Sequence, residues 1–132
     1  MDLAEFDISM IHRYLAGESY WAKGMSRSLL ERAMANSLCF GGFVADTQVA
    51  FGRAVTDRAT FAHLKDVFVL PAFRGKGYGV ALVNAIVSHP DLQAVSMTLA
   101  TADAHGLYSR FGFGTHSRPE RQMIRVGSFL PS

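Results

Sequence analysis

Six consecutive residues, Arg74-Gly75-Lys76-Gly77-Tyr78-Gly79, join an apolar strand-like run, Val67-Phe68-Val69-Leu70, to a helical run that reaches Ser88. Glycines at alternate positions let the main chain take positive φ, and they remove the Cβ atoms that would keep a ligand away from backbone N–H groups. At a helix start those N–H groups have no partner within the helix, and the helix dipole adds partial positive charge. Arg74 and Lys76 put two cations beside the turn, so the chemistry on offer is the binding of a phosphate or pyrophosphate. A glycine-rich turn with two solvated cations is the plain alternative. The turn is not a Walker A loop, because Gly77 follows Lys76 where Ser or Thr is needed, and Val80 occupies the place of the third glycine of a Rossmann fingerprint.

A second constellation, Thr101-Ala102-Asp103-Ala104-His105-Gly106-Leu107-Tyr108-Ser109-Arg110-Phe111-Gly112-Phe113, follows after one helical and one extended run. A tyrosine phenol has a reference pKa near 10, so Tyr108 stays protonated at neutral pH and can donate to a leaving group. Taken together and in this order, the two motifs resemble those of the Gcn5-related N-acetyltransferase (GNAT) superfamily, over roughly residues 38 to 113. Arg74, Gly77 and Gly79 match its Arg/Gln-x-x-Gly-x-Gly/Ala turn. Ala104, Leu107, Tyr108, Gly112 and Phe113 match its later Ala-x-x-Leu-Tyr…Gly-Phe segment, and the first 36 residues match only as secondary structure.

The resemblance implies an acetyl-CoA-dependent N-acetyltransferase that moves the acetyl group directly to a primary amine of a small molecule, with acetyl-CoA as co-substrate and no metal. It implies an α/β fold in which a mixed, mostly antiparallel sheet is split by a central V-shaped splay and flanked by helices. Arg74, Gly75, Lys76, Gly77, Tyr78 and Gly79 would hold the pyrophosphate. Main-chain amides near Phe68 and Val69 would face the pantetheine and the thioester oxygen, and Thr101 would touch the pantetheine arm. Tyr108 would protonate the departing thiolate, and Asp66 would act as the general base. Glu18, Tyr20, Trp21 and Glu31 fall where the family covers its acceptor, although core and surface roles are the plainer reading for them. Two rivals remain: a non-catalytic module that binds CoA or another phosphate ligand, and an acyltransferase that acts on a protein amine.

Asp66 has an alternative as a strand carboxylate that is solvated or paired with Lys65 or Arg53. If its strand alternates regularly, His63 lies on the face opposite Asp66, and only a splay or bulge would bring both into one site. His105 beside a ligand loop reads as a packing or hydrogen-bonding residue, and Cys39 on an apolar strand as a small buried hydrophobe.

The elements that must position these groups are legible from periodicity. Ile8 to Ala16 has helical spacing with Gly17 as a stop. A second helix opens on a capping box of Ser28 and Glu31, or on Ser26 as the cap instead, and carries the stripe Leu29, Leu30, Ala33 and Met34 to about Asn36. Leu38–Ala45, Gln48–Thr56 and Thr60–Leu70 read as an antiparallel meander, turned at Asp46-Thr47 and Asp57-Arg58. Gly41-Gly42 within the first strand signals a bulge or close backbone approach. Pro71 ends the third strand, the helix Gly77–Ser88 follows, and His89-Pro90 closes it. The alternation of Val95, Met97 and Leu99 marks a strand over Gln93–Ala100 that returns parallel through a crossover. Thr101 or Asp103 caps a short helix through Arg110, and Met123-Ile124-Arg125-Val126 is available to close the sheet.

With 132 residues, 49% hydrophobic and 18% charged, the composition is that of one globular domain spanning 1–132, not a disordered chain. A net charge of +2 without basic runs outside the glycine turn argues against nucleic acid. A single cysteine excludes an internal disulfide and fits a reducing compartment. The acidic start Met1-Asp2-Leu3-Ala4-Glu5 is unlike a secretory signal, and no run approaches the ~18 apolar residues of a membrane span. The expectation is a cytoplasmic protein without a membrane partner, with Phe129-Leu130 as the candidate contact of a homodimer.

Overall fold

The computed structural model describes residues 3–131. Helix α1 (Ile8–Gly17) begins where the Asp7 side chain accepts from the Met10 N–H at 3.0 Å, while the Asp7 N–H donates to Gln48 Oε1 at 2.7 Å. The first contact caps the helix and the second ties its start to the sheet. Helix α2 (Arg27–Ala35) is capped by Ser26, whose hydroxyl accepts from the Leu29 N–H at 3.2 Å. Of the two serines expected to cap this helix, the earlier one does so. Glu31 turns outward to Arg27 instead, so its side chain stays on the surface. Leu30 and Met34 are buried and Leu29 and Ala33 half-buried, which seats the helix as its stripe requires.

The sheet has the order β1-β2-β3-β4, with β1 (Leu38–Val44), β2 (Thr47–Thr56) and β3 (Phe61–Val69) antiparallel and β4 (Ser96–Thr98) parallel to β3. Asp57 builds the β2–β3 turn by accepting from the N–H groups of Ala59, Thr60 and Phe61. Its hydrogen bonds, first that of the Thr60 side chain, hold its carboxyl well below the usual carboxylate range. Helix α3 (Tyr78–Val87) carries the parallel crossover, and α4 (His105–Ser109) follows β4.

One sheet face packs on α1 and α2, with Ile11, Leu15, Leu30, Met34 and Phe51 at its heart; the other packs on α3, with Leu82, Val83 and Ile86. Gly41 and Gly42 make the close approach expected of them. A Cβ at Gly42 would fall 2.9 Å from that of Ala50, and the β1–β2 register slips between Gly42 and Phe43.

The break that matters for function lies in β3. Ala62 and Leu64 sit in the α3 cluster, and regular alternation would send Asp66 and Phe68 there as well. Phe68 instead enters the α1/α2 cluster, while Val67 and Val69 pack against the α3 one. The pairing jumps from Arg53↔Lys65 to Phe51↔Phe68, so Gly52 faces two residues of β3, and Asp66 takes up the extra residue at φ 57°. This is a β-bulge, and it exchanges the two faces of the strand from Asp66 onward.

Two expectations are corrected at the far edge. The last strand is three residues, not the run Gln93–Ala100, because Leu99 and Ala100 leave the ladder where β3 and β4 separate. Met123-Ile124-Arg125-Val126 forms no strand: Met123, Ile124 and Val126 are 96%, 86% and 82% exposed. Its apolar alternation meets only a three-residue edge at β4, and the turn at Pro119–Arg121 has already diverted the chain. Leu130 packs back onto the α1/α2 cluster, whereas Phe129 stays largely exposed.

Candidate active site

β3 is bonded to β4 only at Phe61↔Ser96, Ala62↔Met97 and His63↔Thr98, and then continues alone to Val69. The gap between them is the splay, and it opens into a cavity of about 900 Å³. Leu70 donates its N–H to Val49 O at 2.8 Å, on the β2 side. Successive amides of a strand point to alternate sides, so the Val69 N–H points into the gap and that of Phe68 points towards β2. The expected pair of amides thus divides: Val69 presents backbone, while Phe68 presents a ring stacked on Tyr14 with centroids 4.1 Å apart.

At the mouth of the gap, Gly75 and Gly77 take φ of 77° and 86°, a region costly for any residue with a Cβ, and Gly77 caps α3 in the left-handed conformation. Ideal Cβ atoms at either glycine would meet nothing within 4 Å, so conformation and an open approach set these positions, not packing. Gly79 differs from the expectation of positive φ at all three: it lies inside the helix and borders the cavity, between Leu107 and Val69. The first-turn N–H groups of α3 lack intrahelical acceptors.

Arg74 is held in place by two bonds, Nε donating to Val69 O at 3.0 Å and a terminal nitrogen donating to the Tyr14 hydroxyl at 2.8 Å. It therefore pins the free end of β3 to α1 while its charge borders the cavity. Lys76 stands outside, over the ring of Phe73.

Tyr108 closes the opposite wall from α4 and is buried, with its ring edge-on to Phe113. Burial, with a smaller contribution from Tyr20, pushes its phenol up from the ordinary value, so it stays protonated at neutral pH. Among the described residues none hydrogen-bonds its hydroxyl. Thr101 Oγ1 accepts from the Ala104 N–H at 3.0 Å, which makes Thr101, not Asp103, the residue that secures the start of α4. Thr101 also lines the cavity.

Asp66 was expected as a free base or as a paired carboxylate, and the geometry is that of the pair. Arg53 Nε donates to Oδ2 at 2.6 Å, with side-chain exposures of 8% and 1%, and Trp21 Nε1 donates to Oδ1 at 2.9 Å. Both oxygens accept a hydrogen bond, so Asp66 anchors the bulge and the loop that carries Trp21. His63, expected on the other face, joins Lys65 and Asp66 on the cavity wall, because the bulge supplies the exception to regular alternation. Its Nδ1 lies 2.7 Å from Thr98 Oγ1. Burial first, then Lys65 and Arg53, lower its pKa from the ordinary value.

Glu18, Tyr20 and Trp21 line the cavity on its α1 side, and Glu31 does not. Tyr14 was missed, and Arg53 was anticipated only as one of two partners for Asp66. Tyr14 sits in the apolar stripe of α1 and its hydroxyl gives the only sequence hint; its partner Arg74 lies 60 residues away.

Residues 38–115 match the family model described as "Acetyltransferase (GNAT) domain". The chain belongs to the GNAT acetyltransferase family. A crystal structure of a candidate GNAT-family acetyltransferase from Xanthomonas campestris pv. campestris is 51% identical, with a TM-score of 0.92 over 98% of this chain and 92% of that one. A candidate acetyltransferase from Gibberella zeae is 28% identical, over 79% of this chain and 71% of its own length. A Mycobacterium tuberculosis protein solved in complex with CoA shares the fold, with a TM-score of 0.62 and 22% identity over 80% of this chain and 63% of that one. The GNAT fold agrees with the mixed, splayed sheet, and acetyl transfer is the reaction class of this chain. No helix among the described residues is long and apolar enough to cross a membrane.

Proposed function

We propose that this GNAT protein is an acetyl-CoA-dependent N-acetyltransferase that acetylates a primary amine of a small molecule by direct transfer. The observation that carries the reading is a shared space: Gly79 in the first turn of α3, the unpaired edge of β3 and the Tyr108 phenol all border one gap. Gly79 and Arg74 at its mouth and Tyr108 at its wall suit a long ligand with an anionic middle and a reactive end. The CoA complex of the Mycobacterium tuberculosis relative supports the same coenzyme here.

In this reading the amides of Gly75 to Val80 hold the pyrophosphate, aided by the charges of Arg74 and Lys76. The Val69 N–H bonds the pantetheine or polarises the thioester oxygen, where charge develops as the amine adds. When the tetrahedral adduct collapses, the C–S bond breaks and the Tyr108 O–H gives its proton to the sulfur. Tyr14, Tyr20 and Trp21 wall the opposite side with aromatic faces, which suit an aliphatic ammonium. Thiol release from acetyl-CoA across a panel of small amines tests the reading: turnover with an amine supports it, whereas coenzyme binding without turnover identifies a binding module.

A further inference from the structure

We propose that His63 is the base that takes the proton from the incoming ammonium, with Thr98 orienting its ring. The proposal rests on the acetyl-CoA reading of the same cavity. The bulge brings Asp66 to the face that already carries His63 and Lys65, and all three border the cavity beside the open edge of β3. Of the side chains there, Asp66 has both oxygens bonded to Arg53 and Trp21, and Lys65 is a cation. Glu18 and Asp103 also border the cavity but are exposed, and no hydrogen bond among the described residues orients either carboxyl, whereas the base must be held in reach of the amine and work at a neutral operating pH. An imidazole is matched to it.

The contact between His63 Nδ1 and Thr98 Oγ1 fixes the ring across the β3–β4 pair, one step from the point where the strands separate. With Nδ1–H donating to the threonine oxygen, Nε2 keeps its lone pair, and among the described residues it has no hydrogen-bond partner. The charged and titratable groups around it are Arg53 from β2, Lys65 and Asp66 from β3, Glu18 and Tyr20 from the α1–α2 loop, and Asp103 and Tyr108 from the β4–α4 segment. Burial and the two nearby cations favour the neutral ring, which is the form able to accept a proton.

The proton count closes. Nε2 takes one proton from R–NH3+, leaving R–NH2 to attack the carbonyl carbon. The C–N bond forms, the C–S bond breaks, and sulfur leaves with the Tyr108 proton. The second nitrogen proton returns to the Tyr108 oxygen through water, and His63 releases its own proton to solvent.

The test compares His63→Gln with wild type, using benzylamine, an ammonium at neutral pH, and aniline, already a free amine. With benzylamine, wild-type kcat/KM should fall on the acid side, with its limb displaced below the ordinary imidazole range. In the variant that limb should be replaced by one at higher pH, set by the ammonium's own ionisation, and the rate at neutral pH should be about 10²- to 10⁴-fold lower. With aniline the loss should stay under roughly tenfold, because no ammonium proton has to be removed. Equal losses with both amines, or no loss with benzylamine, would overturn the proposal. Nitrogen-15 spectra of the imidazole decide it without an acceptor: a neutral ring protonated on Nδ1 at pH 7 is expected, and a ring protonated on Nε2 or charged would contradict it. Calorimetry with acetyl-CoA separates the two claims. Equal affinity in the two proteins keeps the coenzyme reading intact, and no binding by wild type ends that reading while the spectra still judge His63.

Discussion

The two halves of the cavity are built by different means. The half at the mouth of α3 is made of main chain: left-handed glycines, free amides of a helix start and the unpaired edge of β3. The half towards α1 is made of side chains drawn from distant segments, with Trp21 on Asp66 and Tyr14 on Arg74. Backbone geometry holds whatever the neighbouring side chains are, so it can serve one constant ligand. A wall of side chains changes with every substitution, which suits it to choosing an acceptor.

The largest expected effect strikes the joint between the halves. Asp66→Ala leaves Arg53 buried without its partner, which costs about 3–5 kcal/mol and should appear as a large fall in unfolding free energy by denaturant titration. Asp66→Asn retains an acceptor for Trp21 and tolerates the positive φ, yet it still loses the charge pair and should fall between Asp66→Ala and wild type. Indistinguishable stability of all three would mean that the pair does not hold the bulge.

Next come changes to the main-chain half. Gly77→Asp puts a Cβ into a left-handed residue, at about 1–2 kcal/mol, and sets a negative charge at the anion site. Acetyl-CoA affinity by calorimetry should drop below detection, while the protein still folds cooperatively. Tyr108→Phe keeps the packing and removes only the acid. A fall in kcat of about 10²- to 10⁴-fold with little change in coenzyme affinity is the expected pattern, and equal kcat would remove Tyr108 from the chemistry, provided chemistry limits the rate.

The smallest effect belongs to the tail. Ile124→Ser alters a side chain that is 86% exposed, so stability should move by no more than about 0.5 kcal/mol. A clear loss would show that this segment is covered in solution, and sedimentation would then decide whether a second copy covers it.

How much of this was legible in the sequence follows from the same contrast. The helices, the meander and the glycine turn are local, so spacing and residue type reveal them. The face exchange in β3 is not local, because nothing in Lys65-Asp66-Val67 marks an extra residue. The bulge is set by which partners β2 offers and by Arg53 reaching both Asp66 and Ser37. For the same reason His63 could not be placed, and Asp66 read equally well as base or anchor. The alternation in Met123-Ile124-Arg125-Val126 misled because a strand needs a ladder as well as a pattern, and β4 supplies only three residues of edge.

A crystal structure with CoA bound tests the central claim most directly. The account predicts the pyrophosphate on the amides of residues 75 to 80, the pantetheine along the open edge of β3 and the sulfur within hydrogen-bonding reach of the Tyr108 hydroxyl. A coenzyme seated elsewhere, or a sulfur on the far side of the sheet from Tyr108, would contradict it.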